Sequence, residues 1–392
     1  MRGAAVRRLL AGAVALLSTS VVVTTAPTAL ASPSSLQRDT TAVHTAGAVG
    51  VAAVLTTPEG STSAHSGTAD LRTGAPVSPQ AHFRAGSTTK AFVATVVLQL
   101  VGEGELSLDD TVEEWLPGVV TGNGNDGSGV TVRDLLQHTS GIPSYTRVPE
   151  AFPAGYSSTG YHRSRLRHHD AETLVAAAMT LPPDFRPGTA WRYSNTNYVL
   201  AGMLIESVTG RPWRTEVKDR VITPLGLTGT SLPGDDPFLP APSVRGYHTY
   251  AGDARPTDTT VFNATAAGAS GELVTTPRDV NRFLTALVTG DLLGPAEWEE
   301  MRRTHPIPDE PGRGYGLGLE STTLTCGGTY WHHGGNALGY ASENAVTPDG
   351  ARSVTVSVNS YDDADPDRQD RVDAAVRTLI DRALCAGGAQ RD

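Results

Sequence analysis

Apolar positions change their spacing several times along the chain, and each change marks a different kind of element. From Ala48 to Thr56 the residues are small, β-branched and almost continuously apolar, which predicts a buried strand. Pro58-Glu59-Gly60 turns the chain, and polar alternation to about Arg72 completes a hairpin. Phe83-Arg84-Ala85-Gly86 then leads into a helical run from Ser87 to about Gly102. Ala91, Phe92, Ala94, Thr95, Leu98 and Leu100 leave that helix almost no polar face. A helix apolar nearly all round belongs in the middle of a protein.

The pattern loosens from about 105 to 295. Helices are expected at Val132 to His138, Ala171 to Thr180 and Asn197 to Thr209, the last stopped by Gly210. Thr276 caps another, with Pro277 in its first turn. Residues 121–129 read as a flexible loop, and 157–160 and 231–258 as surface loops. Strand patterns return at 315–320, 328–332, 337–346 and 352–359, the last two joined by Pro348-Asp349-Gly350. An amphipathic helix follows from about Asp367 to Leu384. The expected fold is therefore α+β. One antiparallel sheet is built from both chain ends and flanked by helices, with a mainly helical subdomain inserted at roughly 105–295.

Composition narrows the class. Of 392 residues, 39% are hydrophobic and 18% charged, as in ordinary globular proteins. Residues 1–31 stand apart: Arg2, Arg7 and Arg8 precede an apolar run from Leu9 to Val23, and Ala29-Leu30-Ala31 has the small residues of a cleavage site. This reads as a secretory signal peptide cleaved near Ala31, with a membrane anchor the weaker alternative because Ser18-Thr19-Ser20 interrupts the run. The expected product is a secreted domain spanning 32–392, without stable membrane insertion. It is expected to be a monomer.

The net charge of −10 argues against a nucleic-acid partner, which needs a basic surface. Lysine occurs only at Lys90 and Lys218, so its positions are informative. Both cysteines, Cys326 and Cys385, lie near the C-terminus. In an exported protein they are expected to tie the last helix to a sheet strand, the alternative being two buried thiols. Their spacing does not suit a metal.

Three short motifs carry chemistry. Ser87-Thr88-Thr89-Lys90 places a hydroxyl and an amine on one helix face, at a helix N-terminus that favours developing negative charge. A buried lysine kept partly neutral can take the serine proton. The plainer reading is a capping serine and a surface lysine, but a surface lysine does not suit so apolar a helix. Tyr193-Ser194-Asn195 projects alternate side chains to one side of an extended segment. Tyrosine can act as a base beside a cation, and the asparagine amide can orient a carbonyl. Read alone, it is a loop tyrosine beside a helix cap. His333-Gly334-Gly335 ends a strand, where glycines permit close approach of a ligand. Read alone, it is a hairpin turn.

Their order and context, S-x-x-K at a helix start, Y-x-N in a loop and H-x-G on a strand, resemble the penicillin-recognising serine hydrolases. Longer stretches, FRAGSTTK (83–90), TVRDLLQHTSGIP (131–143), YSNTNYVLAGMLIE (193–206) and GYGLGL (314–319), resemble secreted actinomycete D-alanyl-D-alanine carboxypeptidases. That resemblance also pairs Cys326 with Cys385. It implies that Ser87 forms an acyl-enzyme, Lys90 and Tyr193 handle its proton, Asn195 places the substrate amide, and His333 completes the polar wall. The backbone N–H groups of Ser87 and Asn336 would form the oxyanion hole. No metal or organic cofactor is implied.

The match departs where a terminal carboxylate should bind. Glu320 stands where the carboxypeptidase has arginine, and Gly334 and Asn336 stand where it has threonines. Arg192, Arg313 or His332 are the remaining candidates for a cation. The substrate is thus expected to be a small peptide, ester or β-lactam. D-alanyl-D-alanine carboxypeptidase is the first expectation. An esterase or D-aminopeptidase (amidase) comes next, then a β-lactamase, and a non-catalytic penicillin-binding sensor is the reading from another class.

Overall fold

The computed structural model describes residues 34–386 together with Met1, so the expected signal peptide lies outside the described residues. Ten strands form one antiparallel sheet. From one edge the order is His305–Pro306, Arg313–Tyr315, Glu320–Thr323, Thr329–His332, Tyr340–Val346, Ser353–Val358, Gly50–Thr57, Gly60–Asp70 and Ala75–Pro76. The short strand Gly335–Ala337 pairs with Tyr340–Val346 off this path. Both chain ends thus meet in the middle, where Val51 pairs with Val358 and Thr56 with Ser353.

Strand alternation assigns the faces. Val51, Ala53, Val354, Val356 and Val358 pack with the helices Ser35–Ala46 and Pro366–Cys385. The opposite face meets helix Pro277–Thr289, where buried Asn281 donates to the Val54 carbonyl (2.8 Å) and accepts from Thr355 Oγ1 (2.7 Å). Helix Thr89–Gly102 lies deeper in the same large core, beside Asn195–Thr209. Every residue from Thr89 to Leu98 is buried, which is why no polar stripe runs along it. Cys326 and Cys385 are joined, tying the turn before Thr329–His332 to the last helix.

Several expectations need correction. Helix Ser35–Ala46 was not expected: only Leu36, Thr40 and Val43 are buried, too sparse a stripe to read. Residues 121–129 are not a flexible loop. Two short strands, Thr121–Gly122 and Asn125–Asp126, pair there, and buried Asn125 donates to the carbonyls of Gly122 and Leu181 (both 2.9 Å). Residues 157–160 start a helix, Ser158–Ser164, capped by the Ser157 side chain. Within 231–258, strands Tyr247–Thr249 and Thr257–Asp258 pair with each other, and the first also joins Ser360–Asp362. The strand expected at 315–320 breaks because Leu317 and Gly318 donate to the carbonyls of Met301 and Leu136 instead of to a neighbouring strand. The strand expected at 337–346 is a hairpin, turned at Leu338-Gly339 with both φ values positive (32° and 85°).

Candidate active site

Ser87 sits in a single 3-10 turn, Gly86–Thr88, that feeds directly into helix Thr89–Gly102. Hydroxyls on either side fix this turn. Thr89 Oγ1 donates to the Gly86 carbonyl (2.6 Å) and accepts from Leu273 N–H (3.0 Å). Thr88 Oγ1 donates to the His333 carbonyl (3.0 Å). Gly86 has φ +52°, and a Cβ there would lie 2.4 Å from the Asn336 carbonyl oxygen. A Cβ on Gly335 would lie 1.8 Å from the Ala85 carbonyl oxygen and 2.9 Å from Ser87 N. The turn and the strand therefore touch through two glycines, backbone against backbone.

Asn336 opposes Ala341 two places before the Leu338-Gly339 turn, between ladder-bonded pairs. Its N–H and C=O therefore point away from the partner strand and toward the Ser87 turn. The Asn336 backbone thus lies against Gly86, next in the chain to Ser87.

Lys90 is fully buried, at 0% exposure. Its Nζ donates to Ser87 Oγ (2.9 Å), Asn195 Oδ1 (2.8 Å) and the Ser270 carbonyl (2.7 Å). Burial lowers its pKa well below the usual lysine range. A near-neutral amine beside a hydroxyl can accept its proton. Burial drives the Tyr193 phenol the other way, far above its usual value, with the Ser87 side chain opposing part of the rise. Tyr193 is held by a neighbour that sequence reasoning missed. The fully buried His138 ends helix Val132–Gln137 in the left-handed region (φ 64°), with its ring centroid 4.2 Å from that of Tyr193. His138 Nδ1 accepts from Ser194 N–H (3.3 Å), which anchors the Tyr193-Ser194-Asn195 segment.

His333 does not present a cation to the cleft. Its Nε2 meets the Tyr315 hydroxyl (2.8 Å) and its Nδ1 the Gly334 carbonyl (2.8 Å), while burial pushes it down to about 4. It braces the wall rather than lining it. Asn344, also missed, holds the His333 carbonyl (2.7 Å) and accepts from its N–H (3.1 Å). No short motif marks Asn344 or Ser270, and the S-x-x-K motif leaves Thr88 and Thr89 without a role, because their partners lie far away in the sequence or are backbone groups.

Glu320 is buried opposite His332 and ion-paired with Arg313, which also pairs with Glu310. Arg192 pairs with Asp184 (3.1 Å). Burial pushes His332 down to about 3, with Arg313 adding to the effect. The three cations the sequence offered for a carboxylate are therefore engaged or neutral.

The Ser87 hydroxyl opens into a cleft of about 250 Å³. Tyr145, Phe152, Phe262, Leu338 and Tyr340 make its walls mostly apolar. Arg84 lies on its floor and donates to the carbonyls of Pro237 (2.7 Å) and Thr260 (3.1 Å). Glu272 also lines it, held by a two-bond pair from Arg214 (both 2.6 Å).

The beta-lactamase family profile matches residues 36–378. The chain belongs to the beta-lactamase family. That family sits in the superfamily that unites serine β-lactamases with penicillin-binding proteins. The chain is 30% identical over 218 residues to penicillin-binding protein 4 of Amycolatopsis lactamdurans, covering 56% of this chain and 54% of that protein. The chain thus spans about half the length of that curated relative. Its fold superposes with a TM-score of 0.80 on a D-stereospecific amidohydrolase from Streptomyces sp., at 41% identity over 90% of this chain and 98% of the other. A D-amino acid amidase from Ochrobactrum anthropi SV3 complexed with D-phenylalanine follows, with a TM-score of 0.77 and 27% identity over 91% and 98% of the two chains.

Proposed function

We propose that this family member is a D-stereospecific amidohydrolase working through a Ser87 acyl-enzyme. The carrying observation is Lys90 Nζ, buried and shared between Ser87 Oγ and Asn195 Oδ1. Ser87 Oγ attacks the amide carbonyl carbon as its proton passes to Lys90. The oxyanion takes hydrogen bonds from the N–H groups of Ser87 and Asn336. The C–N bond then breaks, and the departing amine takes a proton from the Lys90–Tyr193 pair. Water adds to the ester by the reverse sequence and frees Ser87. Asn195 holds Lys90 on one side and faces the cleft on the other.

The apolar cleft favours a bulky acyl side chain. The carboxypeptidase reading is weakened because Arg192, Arg313 and His332 are all engaged or neutral. The D-stereochemistry is supported by likeness to the Streptomyces amidohydrolase. The test compares the protein with Ser87→Ala on D- and L-phenylalanine amide, a D-Ala-D-Ala peptide and a fluorescent penicillin. Ser87-dependent ammonia release from the D-amide, well above that from the L-amide, is expected. D-alanine release faster than ammonia release would restore the carboxypeptidase. Labelling by penicillin without turnover of any amide would end the amidohydrolase reading.

A further inference from the structure

The segment that carries Tyr193 is extended but pairs with no strand among the described residues. Its backbone N–H groups must find acceptors elsewhere. Two of them find the same residue. The Arg192 N–H donates to the His138 carbonyl (3.0 Å), and the Ser194 N–H donates to His138 Nδ1 (3.3 Å). Along an extended chain these alternate groups point the same way. His138 thus stands in for a partner strand across the two residues that flank Tyr193. Its left-handed backbone (φ 64°), uncommon away from glycine, lets one residue present its carbonyl and its side chain together.

The proton on the His138 ring has one place to be. The Ser194 N–H is a backbone donor, so Nδ1 is the acceptor and carries no proton. Asn197 Nδ2 lies 3.1 Å from the same Nδ1, and Asn197 Oδ1 accepts from Ser140 Oγ (2.8 Å), which orients the amide in the same sense. Burial, with Lys90 and His333 adding to it, holds the ring well below the usual histidine range and so neutral. The proton is therefore on Nε2, which is buried and meets no acceptor. The ring forgoes a hydrogen bond at Nε2 and keeps Nδ1 for the Tyr193 segment.

The neighbours of Tyr193 have anchors of their own. The Asn195 N–H donates to Ser144 Oγ (3.2 Å), and Lys90 Nζ is held by Ser87, Asn195 and the Ser270 carbonyl. Tyr193 has the His138 ring against its own, at 4.2 Å between centroids, and the clamp on either side. We propose that His138 is the positioning residue for Tyr193, holding the phenol where it can donate to the departing amine. This rests on the acyl-enzyme reading of Ser87, in which Tyr193 is a proton donor. His138 does not line the Ser87 cleft, so its effect passes through the tyrosine.

The test reads two variants in two backgrounds. His138→Leu removes the Nδ1 acceptor, whereas His138→Asn puts an amide oxygen in its place and tolerates the left-handed backbone. Acylation of Ser87 is followed with a fluorescent penicillin and with D-phenylalanine amide. His138→Leu is expected to lower the plateau rate about 10²-fold, as when a catalytic group is displaced by an ångström. KM and the acid limb that belongs to Lys90 should stay in place, and His138→Asn should recover most of the rate. In Tyr193→Phe protein, His138→Leu should add little further loss. An equal loss in that background, or an acid limb that moves with the plateau, would overturn the proposal, because the damage would then be general or reach Lys90. Labelling that survives in Ser87→Ala would overturn the acyl-enzyme reading instead. A second measurement needs no turnover and uses the parent chain. In NMR of isotope-labelled histidine nitrogens, the signals lost in His138→Asn should show a bare Nδ1 and a protonated Nε2 across about pH 5–8. A protonated Nδ1 would overturn the clamp whatever the activity.

Discussion

Lys90 Nζ stands 4.8 Å from the ring centroid of Tyr193, and burial opposes charge on both groups. The amine loses its proton more readily than usual and the phenol less readily. At neutral pH this favours Lys90 as the acceptor of the Ser87 proton, with Tyr193 protonated and ready to donate. The rate of Ser87 acylation should therefore fall as pH drops through the lowered Lys90 value and hold above it. Tyr193→Phe should lower the plateau about 10²–10⁴-fold without moving that acid limb. Lys90→Met should abolish acylation. A limb that moves in Tyr193→Phe would make the tyrosine the base.

Gly335→Ala should be severe for its size. The new methyl group would overlap the Ala85 carbonyl oxygen, so the strand and the Ser87 turn must separate. Losing one oxyanion donor costs about 10²–10³ in turnover. The overpacking should cost about 1–3 kcal/mol of stability. Denaturant melts read beside acylation rates check both. Normal acylation in a stable variant would remove the Ser87–Asn336 pairing from the mechanism.

Replacing both Cys326 and Cys385 by serine should destabilise the protein by about 2–4 kcal/mol. The bridge fastens the last helix to the outer part of the sheet, and neither cysteine lines the Ser87 cleft. Penicillin labelling at 25 °C should therefore survive in the folded fraction while the thermal midpoint drops. Lost labelling with an unchanged midpoint would contradict this separation.

Arg214→Met should expose the cost of a lone buried acid. The Glu272 side chain is 0% exposed, and Arg214 is its salt-bridge partner. Burial already raises the Glu272 pKa, and the arginine opposes that rise. Without it the folded value climbs further above the unfolded one. The deficit should be about 3–5 kcal/mol at neutral pH and shrink as pH falls through about 4, below which the carboxyl is protonated in both states. Urea melts at pH 7 and pH 4 should show the gap from the parent narrowing. A pH-independent gap would point to lost packing instead.

The parts legible in the sequence were those whose signals are local. Ser87 and Lys90 share one helical turn, and Tyr193 and Asn195 share one extended segment, so spacing alone brings their side chains together. The central strands were legible because unbroken β-branched runs have few other homes. His333 was read as a wall residue open to substrate. The Tyr315 hydroxyl, contributed by a strand two places away, closes it off and keeps it neutral. The glycines of the GYGLGL run looked like part of a strand, but their segment is claimed by the carbonyls of Met301 and Leu136.

The position of strand Gly50–Thr57 sets a timetable for folding. It lies between Ser353–Val358 and Gly60–Asp70, so one of its two edges has no partner until residue 358 has been made. At about 5–20 residues per second, a ribosome needs roughly 15–60 s to cover that distance. For that interval the first hairpin carries an unpaired, apolar edge, a risk that long-range pairing always brings. The central hydrophobic layer can close only after the catalytic turn, the helical middle and the last strands have all emerged, so a truncated chain cannot assemble a working Ser87 site early.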